Sequence, residues 1–333
     1  MEQLKTFINI YLQKLNFLSN ETIQGLIYIN LEKPFHGNLL QIRIQGIEEI
    51  NIKFSEFVGE DDYITTYAKE SNNFLNYSLL IYDYANGSNR KDFQIEPGQY
   101  QIPFQLKIAE KLPSSFFYEE EGDKGSLKYV LTAQILSNKT NVKPLSGNKE
   151  IFIGQKVQMQ QQITYTKIRT STFCCTSSLI NYNVQLNSNC FSPNEIIKVR
   201  LDIDISKCRD KLSNFTVKFM RRLEMKANKG TSTKTEIKTE QNACVLVKGS
   251  RIQQVVEFLV QKNIKLTCQG QLIQLGYYIE IVPNTTKKCC AIDQKSFFVQ
   301  IYIIPAQDQI QNDNDTPYEL VNKNWNPVQL KQI

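Results

Sequence analysis

The sequence predicts an all-β protein made of two antiparallel β-sandwiches in tandem. Three observations lead to this prediction. Apolar and polar residues alternate over many short segments, and Ile197 to Ile205 is a clear example. In the first half of the chain, no segment shows the i, i+3, i+4, i+7 spacing of an amphipathic helix. The 333 residues are enough for two domains, each with a core of its own.

The stretch from Ile95 to Ile135 contains two predicted strands joined by a loop. Pro97-Gly98 predicts a turn, and one face of the following strand is apolar: Tyr100, Ile102, Phe104, Leu106 and Ile108. Pro103 lies on the other face and has no N–H group for a ladder, so we expect an edge strand or a bulge here. Leu127 to Ile135 then alternates again as the second strand.

An internal repeat supports the division into two domains. The turn around Asn20 resembles the turn around Asn194, and both turns lead into alternating segments. In the same order, Leu127–Leu131 corresponds to Leu275–Ile279. Two such correspondences predict two related, immunoglobulin-like sandwiches.

The predicted boundaries follow from this repeat and from composition: a first sandwich at 1–156, a linker at 157–170, a second sandwich at 171–305 and a short flexible tail at 306–333. The tail is rich in Gln, Asn and Asp and has no periodicity. Two other segments, 55–78 and 227–241, also lack a clear apolar face, and we expect them to be loops.

Composition limits the classes of function. Apolar residues make up 41% and charged residues 22% of the chain, and no apolar run approaches the length of a transmembrane helix. The first residues lack the basic and apolar regions of a signal peptide, so we expect a cytosolic protein. The net charge of +6 is suited to acidic lipid or phosphorylated peptide, but it is too small to indicate a nucleic-acid partner.

The sequence offers few groups for catalysis. Its one histidine, His36, lies in a Pro-Phe-His-Gly turn, and the phosphate-binding, G-x-S-x-G and H-E-x-x-H motifs are missing. We therefore predict a protein that is not an enzyme and has no cofactor. The alternative is a buried cysteine nucleophile that meets His36 from the other domain.

All eight cysteines lie after residue 173, and a cytosolic protein is expected to keep them as free thiols. Cys174-Cys175 and Cys289-Cys290 are adjacent pairs that could form a Cys₄ zinc site if they met in space. Adjacent residues of a strand point to opposite faces, however, which favours buried or half-buried thiols over a metal site.

A basic segment is the best candidate for a binding surface. Lys218, Arg222 and Lys226 share one face of a predicted strand, and Lys229 follows in the next loop. These cations could contact a phosphopeptide or anionic lipid head groups. Nearby glutamates favour the alternative, a solvated outer face that keeps the sheet soluble: Glu224, Glu236 and Glu240.

The order of residues in the first predicted domain resembles the amino-terminal domain of the arrestin family. The family pattern P-G-x-Y-x-x-P-F, L-P-x-S-F and Gly before an aromatic-aliphatic strand is matched by Pro97, Gly98, Tyr100, Pro103, Phe104, Leu112, Pro113, Ser115, Phe116, Gly125 and Tyr129. Phe191–Glu195 resembles the family's aromatic-x-P-G-E turn, with Asn194 in place of Gly, a change that left-handed geometry tolerates. The matches resemble the arrestin-domain-containing (α-arrestin) branch most.

This resemblance implies the arrestin fold over residues 5 to about 305. It also implies a non-catalytic adaptor that binds cytoplasmic parts of membrane proteins in trafficking, endocytosis or signalling, and that is associated peripherally with membranes or endosomes. Sheet edges and the inter-domain groove would take extended peptides. The alternative is a constitutive structural subunit of an endosomal sorting coat, similar to the arrestin-fold subunit of retromer.

The chain departs from the α-arrestin pattern near its end. Members of that branch recruit ubiquitin ligases through P-P-x-Y motifs, but Thr316–Glu319 reads only Thr-Pro-Tyr-Glu. A clathrin-type L-x-E-x-D box is also missing. Ubiquitin-ligase or coat components thus remain expected partners for which the sequence offers no docking motif.

Overall fold

The computed structural model describes residues 6–59, 62–85, 93–137, 139–173, 176–207, 212–245, 251–285 and 296–306. Within these residues the chain forms nineteen β-strands and no helix, which confirms the all-β prediction. Contacts divide the chain into two compact units. The first ends at Lys156, and the second covers Val157–Ala306.

The first unit contains nine strands: β1 (Phe7–Leu12), β2 (Asn16–Leu18), β3 (Thr22–Leu31), β4 (Leu39–Gly59), β5 (Asp62–Asp83), β6 (Gly98–Lys107), β7 (Phe116–Glu120), β8 (Asp123–Leu136) and β9 (Leu145–Gly154). One sheet has the order β1-β3-β6, and the other has the order β2-β9-β8-β4-β5 with β7 beside β8. Alternate residues of these strands are buried, for example Leu127, Tyr129 and Leu131 on β8. This alternation is expected for strands that cover a core with one face.

The second unit contains ten strands: β10 (Gln161–Phe173), β11 (Thr176–Ser188), β12 (Cys190–Phe191), β13 (Ile196–Asp204), β14 (Leu212–Ala227), β15 (Gly230–Val245), β16 (Arg251–Leu259), β17 (Cys268–Gln269), β18 (Ile273–Thr285) and β19 (Phe297–Ile303). One sheet has the order β10-β11-β13-β16. The other has the order β12-β19-β18-β14-β15 with β17 beside β18. Clean alternation again marks the buried face, as on β13, where Ile197, Val199 and Leu201 are inaccessible to solvent.

The larger sheets of the two units repeat one topology, which supports the predicted duplication. In each unit the larger sheet begins with a very short strand in a parallel pair, β2 with β9 and β12 with β19. The remaining strands of that sheet are antiparallel and follow in the same order, and a short side strand lies next to the third. Equivalent residues therefore occupy equivalent places in two separate cores.

The repeated turn has the same conformation in both units. Asn20 and Asn194 each have a φ of 69°, the left-handed geometry that Asn tolerates. The following glutamate accepts a hydrogen bond from a backbone amide three residues earlier: Leu18 N–H to Glu21 Oε2 at 3.0 Å and Ser192 N–H to Glu195 Oε2 at 2.8 Å. Asn194 therefore adopts the left-handed geometry that was predicted for it in place of Gly.

A buried tyrosine is also repeated. Tyr129 on β8 and Tyr277 on β18 are fully buried, and each hydroxyl donates a hydrogen bond to a backbone carbonyl of the preceding connection. The acceptors are Pro113 O and Lys265 O, and both distances are 2.7 Å. A buried hydroxyl needs such a partner, so each tyrosine links its strand to the loop that precedes the short side strand, β7 or β17.

Pro103, which has no N–H donor, lies on an edge strand. It is on β6, which pairs with β3 at one end of the three-stranded sheet, opposite Leu26. The prediction of an edge strand is confirmed, because an outer strand can include a residue without an N–H donor.

The prediction of a loop at 55–78 is wrong. Strand β4 continues to Gly59, and β5 pairs with it from Asp62 to Asp83 as a long hairpin. Beyond Asn51, β4 no longer pairs with β8, so the end of the hairpin is a two-stranded ribbon. Such a ribbon does not cover a core along its length, which leaves no single apolar face for periodicity to reveal.

The loop predicted at 227–241 is also wrong, because most of it belongs to β15, which pairs with β14 from Gly230 onward. Strand β15 is the outer strand of its sheet and has few buried residues. Its Thr-rich sequence is compatible with a strand, but it lacks the apolar alternation that would identify one.

The structure describes the predicted linker but almost none of the predicted tail. Strand β10 begins at Gln161, inside the interval 157–170, and pairs with β11 over almost its whole length. Residues 155–160, between β9 and β10, have no strand structure. Almost all of the predicted tail, 307–333, lies outside the described residues.

Candidate functional site

The predicted basic surface lies on β14, in the larger sheet of the second unit. Strand β14 runs between β15 and β18, and one of its faces is packed into the core: Phe215, Val217, Phe219, Leu223 and Met225. Because side chains alternate along a strand, Lys218, Arg222 and Lys226 point away from that core, as predicted.

The structure brings three of the four predicted cations to one end of the hairpin. Arg222 and Lys226 flank Glu224, with Arg222 Nη2 at 3.6 Å and Lys226 Nζ at 3.0 Å from its carboxylate oxygens. Lys229 is exposed in the two-residue turn between β14 and β15. We call Arg222, Lys226 and Lys229 the hairpin cations; with Glu224 they leave an excess of positive charge at this end.

Lys218 does not belong to this group. It lies four residues before Arg222, which is about 13 Å along an extended strand. Its neighbours across the sheet are Glu240 on β15 and Glu280 on β18. The two glutamates on the facing residues lower the positive potential around Lys218, so we expect Lys218 to add little to a site for an anion.

Exposed apolar groups share the face of the hairpin cations. Ile237 of β15 is 46% exposed and pairs with Met220, and Phe298 of β19 is 55% exposed. The ring of Tyr278 covers Gly276: its phenol oxygen lies 2.9 Å from the position that a Cβ atom of residue 276 would occupy. Gly276 is also the residue that β18 pairs with Arg222. This face therefore combines cations with apolar surface.

The expectation that Glu236 dilutes this basic face is wrong. Glu236 pairs with Arg221, whose side chain is only 11% exposed, and Arg221 Nη2 is 2.7 Å from Glu236 Oε2. Arg221 precedes Arg222 and so lies on the opposite face of β14. Sequence distance could not reveal this pair, because the register between β14 and β15 shifts between Phe219 and Met220.

The proposed zinc ligands, Cys174, Cys175, Cys289 and Cys290, lie outside the described residues. Within the described ranges, no group of three or more His, Cys, Asp or Glu side chains is placed to hold a metal ion. His36 Nε2 lies 2.9 Å from Gln94 Nε2 and 3.4 Å from Lys139 Nζ. Its ring contacts in this part of the chain are thus an amide and an amine rather than a thiol.

The two cysteines whose side chains the structure describes, Cys190 and Cys268, are buried. Burial raises the pKa of the Cys190 thiol to about 11, because the apolar surroundings disfavour the thiolate. The thiolate is the reactive form, so this environment opposes use of Cys190 as a nucleophile.

We therefore expect iodoacetamide to leave Cys190 and Cys268 unmodified in the folded protein at pH 8. The unfolded protein should react at both, since its thiols return to a pKa of about 8.5. Residue-resolved mass spectrometry after timed alkylation measures both states. Rapid native labelling of Cys190, persisting below pH 8, would contradict this expectation and revive the alternative of a cysteine nucleophile.

A membrane-spanning helix is not found among the residues that the structure describes.

Comparison with known families agrees with the fold. The model of the arrestin (or S-antigen) N-terminal domain matches residues 8–176, and the model of the arrestin (or S-antigen) C-terminal domain matches residues 176–305. No curated protein matches the chain. Arrestin-family proteins are in general non-catalytic adaptors. Together the two models match residues 8–305, and the chain therefore belongs to the arrestin family.

Proposed function

We propose that this protein is an α-arrestin-like adaptor, which binds cytoplasmic segments of membrane proteins and assists their sorting or endocytosis. Family membership supports an adaptor or scaffold role in general. The adaptor acts in the cytoplasm and associates peripherally with the membrane that carries its cargo. Partner segments add to open sheet edges in extended form, and β6, which pairs with β3, is one such edge.

The observation that carries the membrane part of this proposal is the surface around the hairpin cations. Arg222 and Lys226 are about half exposed, and they share one Glu224 carboxylate. Lys229 adds a third cation at the tip. Anionic lipid head groups attract such a cluster, while exposed apolar groups beside it can enter the head-group region.

The test compares charge reversals at the two ends of β14. Replacing all three hairpin cations by glutamate (Arg222→Glu, Lys226→Glu, Lys229→Glu) should weaken binding to phosphatidylserine-containing vesicles by about a hundredfold or more, because each Lys or Arg near an anionic surface contributes about 1 kcal/mol. Vesicle co-sedimentation at physiological salt measures the affinity.

Lys218→Glu is the matched control, since Lys218 lies on the same strand and face between Glu240 and Glu280. We expect it to reduce binding only slightly. Equal losses in Lys218→Glu and in the triple variant would indicate a general charge effect and contradict a localised site. The wild type could instead bind a phosphopeptide from the cytoplasmic tail of a membrane protein through the hairpin cations and fail to bind vesicles. That result would identify the ligand of this surface as a cargo peptide rather than a lipid.

Purification from the native cell addresses the alternative of a coat subunit. An adaptor should purify largely alone and bind its cargo weakly, whereas a subunit of a stable sorting coat should co-purify with a partner in constant ratio.

A further inference from the structure

The four-stranded sheet of the second unit carries a groove that the proposed function does not use. Its volume is about 380 Å³, and its polar lining comes from neighbouring strands: Gln162 on β10, Gln185 and Asn187 on β11, and Lys198 and Arg200 on β13. Val255 of β16 supplies apolar surface. The groove lies on the opposite sheet from the hairpin cations.

The groove forms where the backbone ladder is interrupted. Gln162 has a φ of 53°, an unusual left-handed conformation for this residue type, and it has no ladder partner on β11. The ladder between β11 and β13 stops at the pair Leu186–Val199. At the next residue, the Asn187 side chain bonds to β13 in place of a backbone group. Its Oδ1 accepts a hydrogen bond from Lys198 N–H at 3.0 Å, and its Nδ2 donates one to Ile196 O at 3.2 Å.

Arg200 differs from its neighbouring cations because they form ion pairs and it does not, in the part of the chain that the structure describes. On one side, Lys198 Nζ is 3.1 Å from Glu257 Oε1. On the other side, Arg251 binds Asp202 through two hydrogen bonds. Arg200 lies between these two pairs on the exposed face and has no ion pair within the described residues. A guanidinium in this position is suited to a carboxylate from outside the chain, which it can bind through two N–H groups.

An apolar patch lies beside this cation. Val255 pairs with Arg200 across the ladder, and Leu259 pairs with Ile196 at the end of both strands. All three apolar side chains are exposed, Leu259 by 61%. Ile196 and Arg200 are four residues apart on β13, a distance of about 13 Å, and an extended peptide places residues i and i+4 on one face with the same spacing.

We propose that this groove binds an extended peptide of a partner protein, with an acidic side chain on Arg200 and a bulky apolar side chain, four positions away, on Ile196 and Leu259. The amides of Gln162 and Gln185 can pair with the peptide backbone, as side-chain amides have both donors and acceptors. A single cation attracts an anionic membrane only weakly, since each Lys or Arg near such a surface contributes about 1 kcal/mol, whereas one guanidinium can bind one carboxylate through two N–H groups. A peptide is therefore favoured over a lipid head group. The site does not depend on the hairpin cations.

The test uses synthetic peptides of Gly and Ser in which one Glu and one Leu lie four positions apart. Fluorescence anisotropy with the full chain should show binding that falls about tenfold when Glu in the peptide is replaced by Gln, since a charge-assisted pair is worth more than 1.4 kcal/mol. Arg200→Gln should bind both peptides equally weakly, while Arg200→Lys should retain part of the preference for Glu.

Arg43→Gln is the matched control, because it removes the same charge from β4 of the first unit, and we expect it to preserve the preference for Glu. Moving the Leu next to the Glu should weaken binding to the wild type. The proposal is overturned if the wild type binds the Glu and Gln peptides equally, or if Arg200→Gln keeps the preference. It is also overturned if Arg200→Gln lowers binding to phosphatidylserine vesicles and leaves peptide binding unchanged.

Discussion

Replacing Tyr129 or Tyr277 by alanine should lower the free energy of unfolding of its unit by about 4 kcal/mol, as expected for removal of a large buried ring. Both rings are fully buried and contact another aromatic ring. The ring centroids of Tyr129 and Phe74 are 5.7 Å apart, and those of Tyr277 and Phe219 are 5.8 Å apart. Neither cavity can close easily, because the tyrosine lies on an inner strand of its sheet.

The phenylalanine variants separate the hydroxyl from the ring. Tyr129→Phe and Tyr277→Phe should each cost about 1–2 kcal/mol, because Pro113 O and Lys265 O lose a buried donor. The two losses should add in the double variant, since the sites lie in separate units. Guanidinium unfolding followed by circular dichroism measures them.

Tyr278→Phe is the control, because Tyr278 is the neighbour of Tyr277 on the outer face and is partly exposed. A change below about 0.5 kcal/mol is expected there. If Tyr277→Phe were as stable as the wild type while Tyr129→Phe lost stability, the repeated hydrogen bond would be equivalent in geometry but not in energy.

Gly147→Ala should destabilise the first unit by about 3 kcal/mol or more, the upper range for overpacking. A Cβ at Gly147 would lie 2.1 Å from the carbonyl oxygen of Ile8 on β1. The clash is with backbone rather than with a movable side chain end. Strand β1 would therefore have to move away from β9, and the core residues Ile8 and Ile10 would lose packing.

Ser146→Ala provides the control for this substitution. Ser146 is the exposed neighbour of Gly147 on β9, and we expect a change within about 0.5 kcal/mol. Chemical unfolding gives the energies, and amide exchange locates the change, with faster exchange expected on β1 and β3. Unchanged stability in Gly147→Ala would mean that β1 can separate from β9 without loss of core contacts.

Elements that cover a core could be predicted from the sequence. On β8 and β13, every second residue is buried, so apolar residues recur with the period of a strand and the local pattern is sufficient. The edge position of β6 could also be predicted, because Pro103 has no N–H group. The paired turns at Asn20 and Asn194 followed from residue chemistry alone.

The hairpin of β4 and β5 and the outer strand β15 could not be recognised. Long parts of these strands do not cover a core, so selection for burial leaves no alternation in their sequences. Their pairing is decided by backbone hydrogen bonds to a neighbouring strand, which any residue except proline can make.

The candidate site was likewise predicted in part from the sequence and in part only from the tertiary structure. That Lys218, Arg222 and Lys226 share a face is a property of one strand, and the sequence predicts it. Which carboxylates oppose them is decided by register: Glu240 and Glu280 are the facing residues of Lys218, while Glu236 faces Arg221 on the other side of β14. The groove at Arg200 was not predicted at all, because its lining is spread over four strands.

By itself, then, the sequence determined the all-β class, the duplicated sandwich, the special turns and the family, since each depends on local periodicity or on a residue with unusual backbone chemistry. Only the tertiary structure decided which charges neutralise one another, which cations remain available, and where the ladder opens into a groove. These depend on strand order and register, and hence on contacts between residues far apart in the chain.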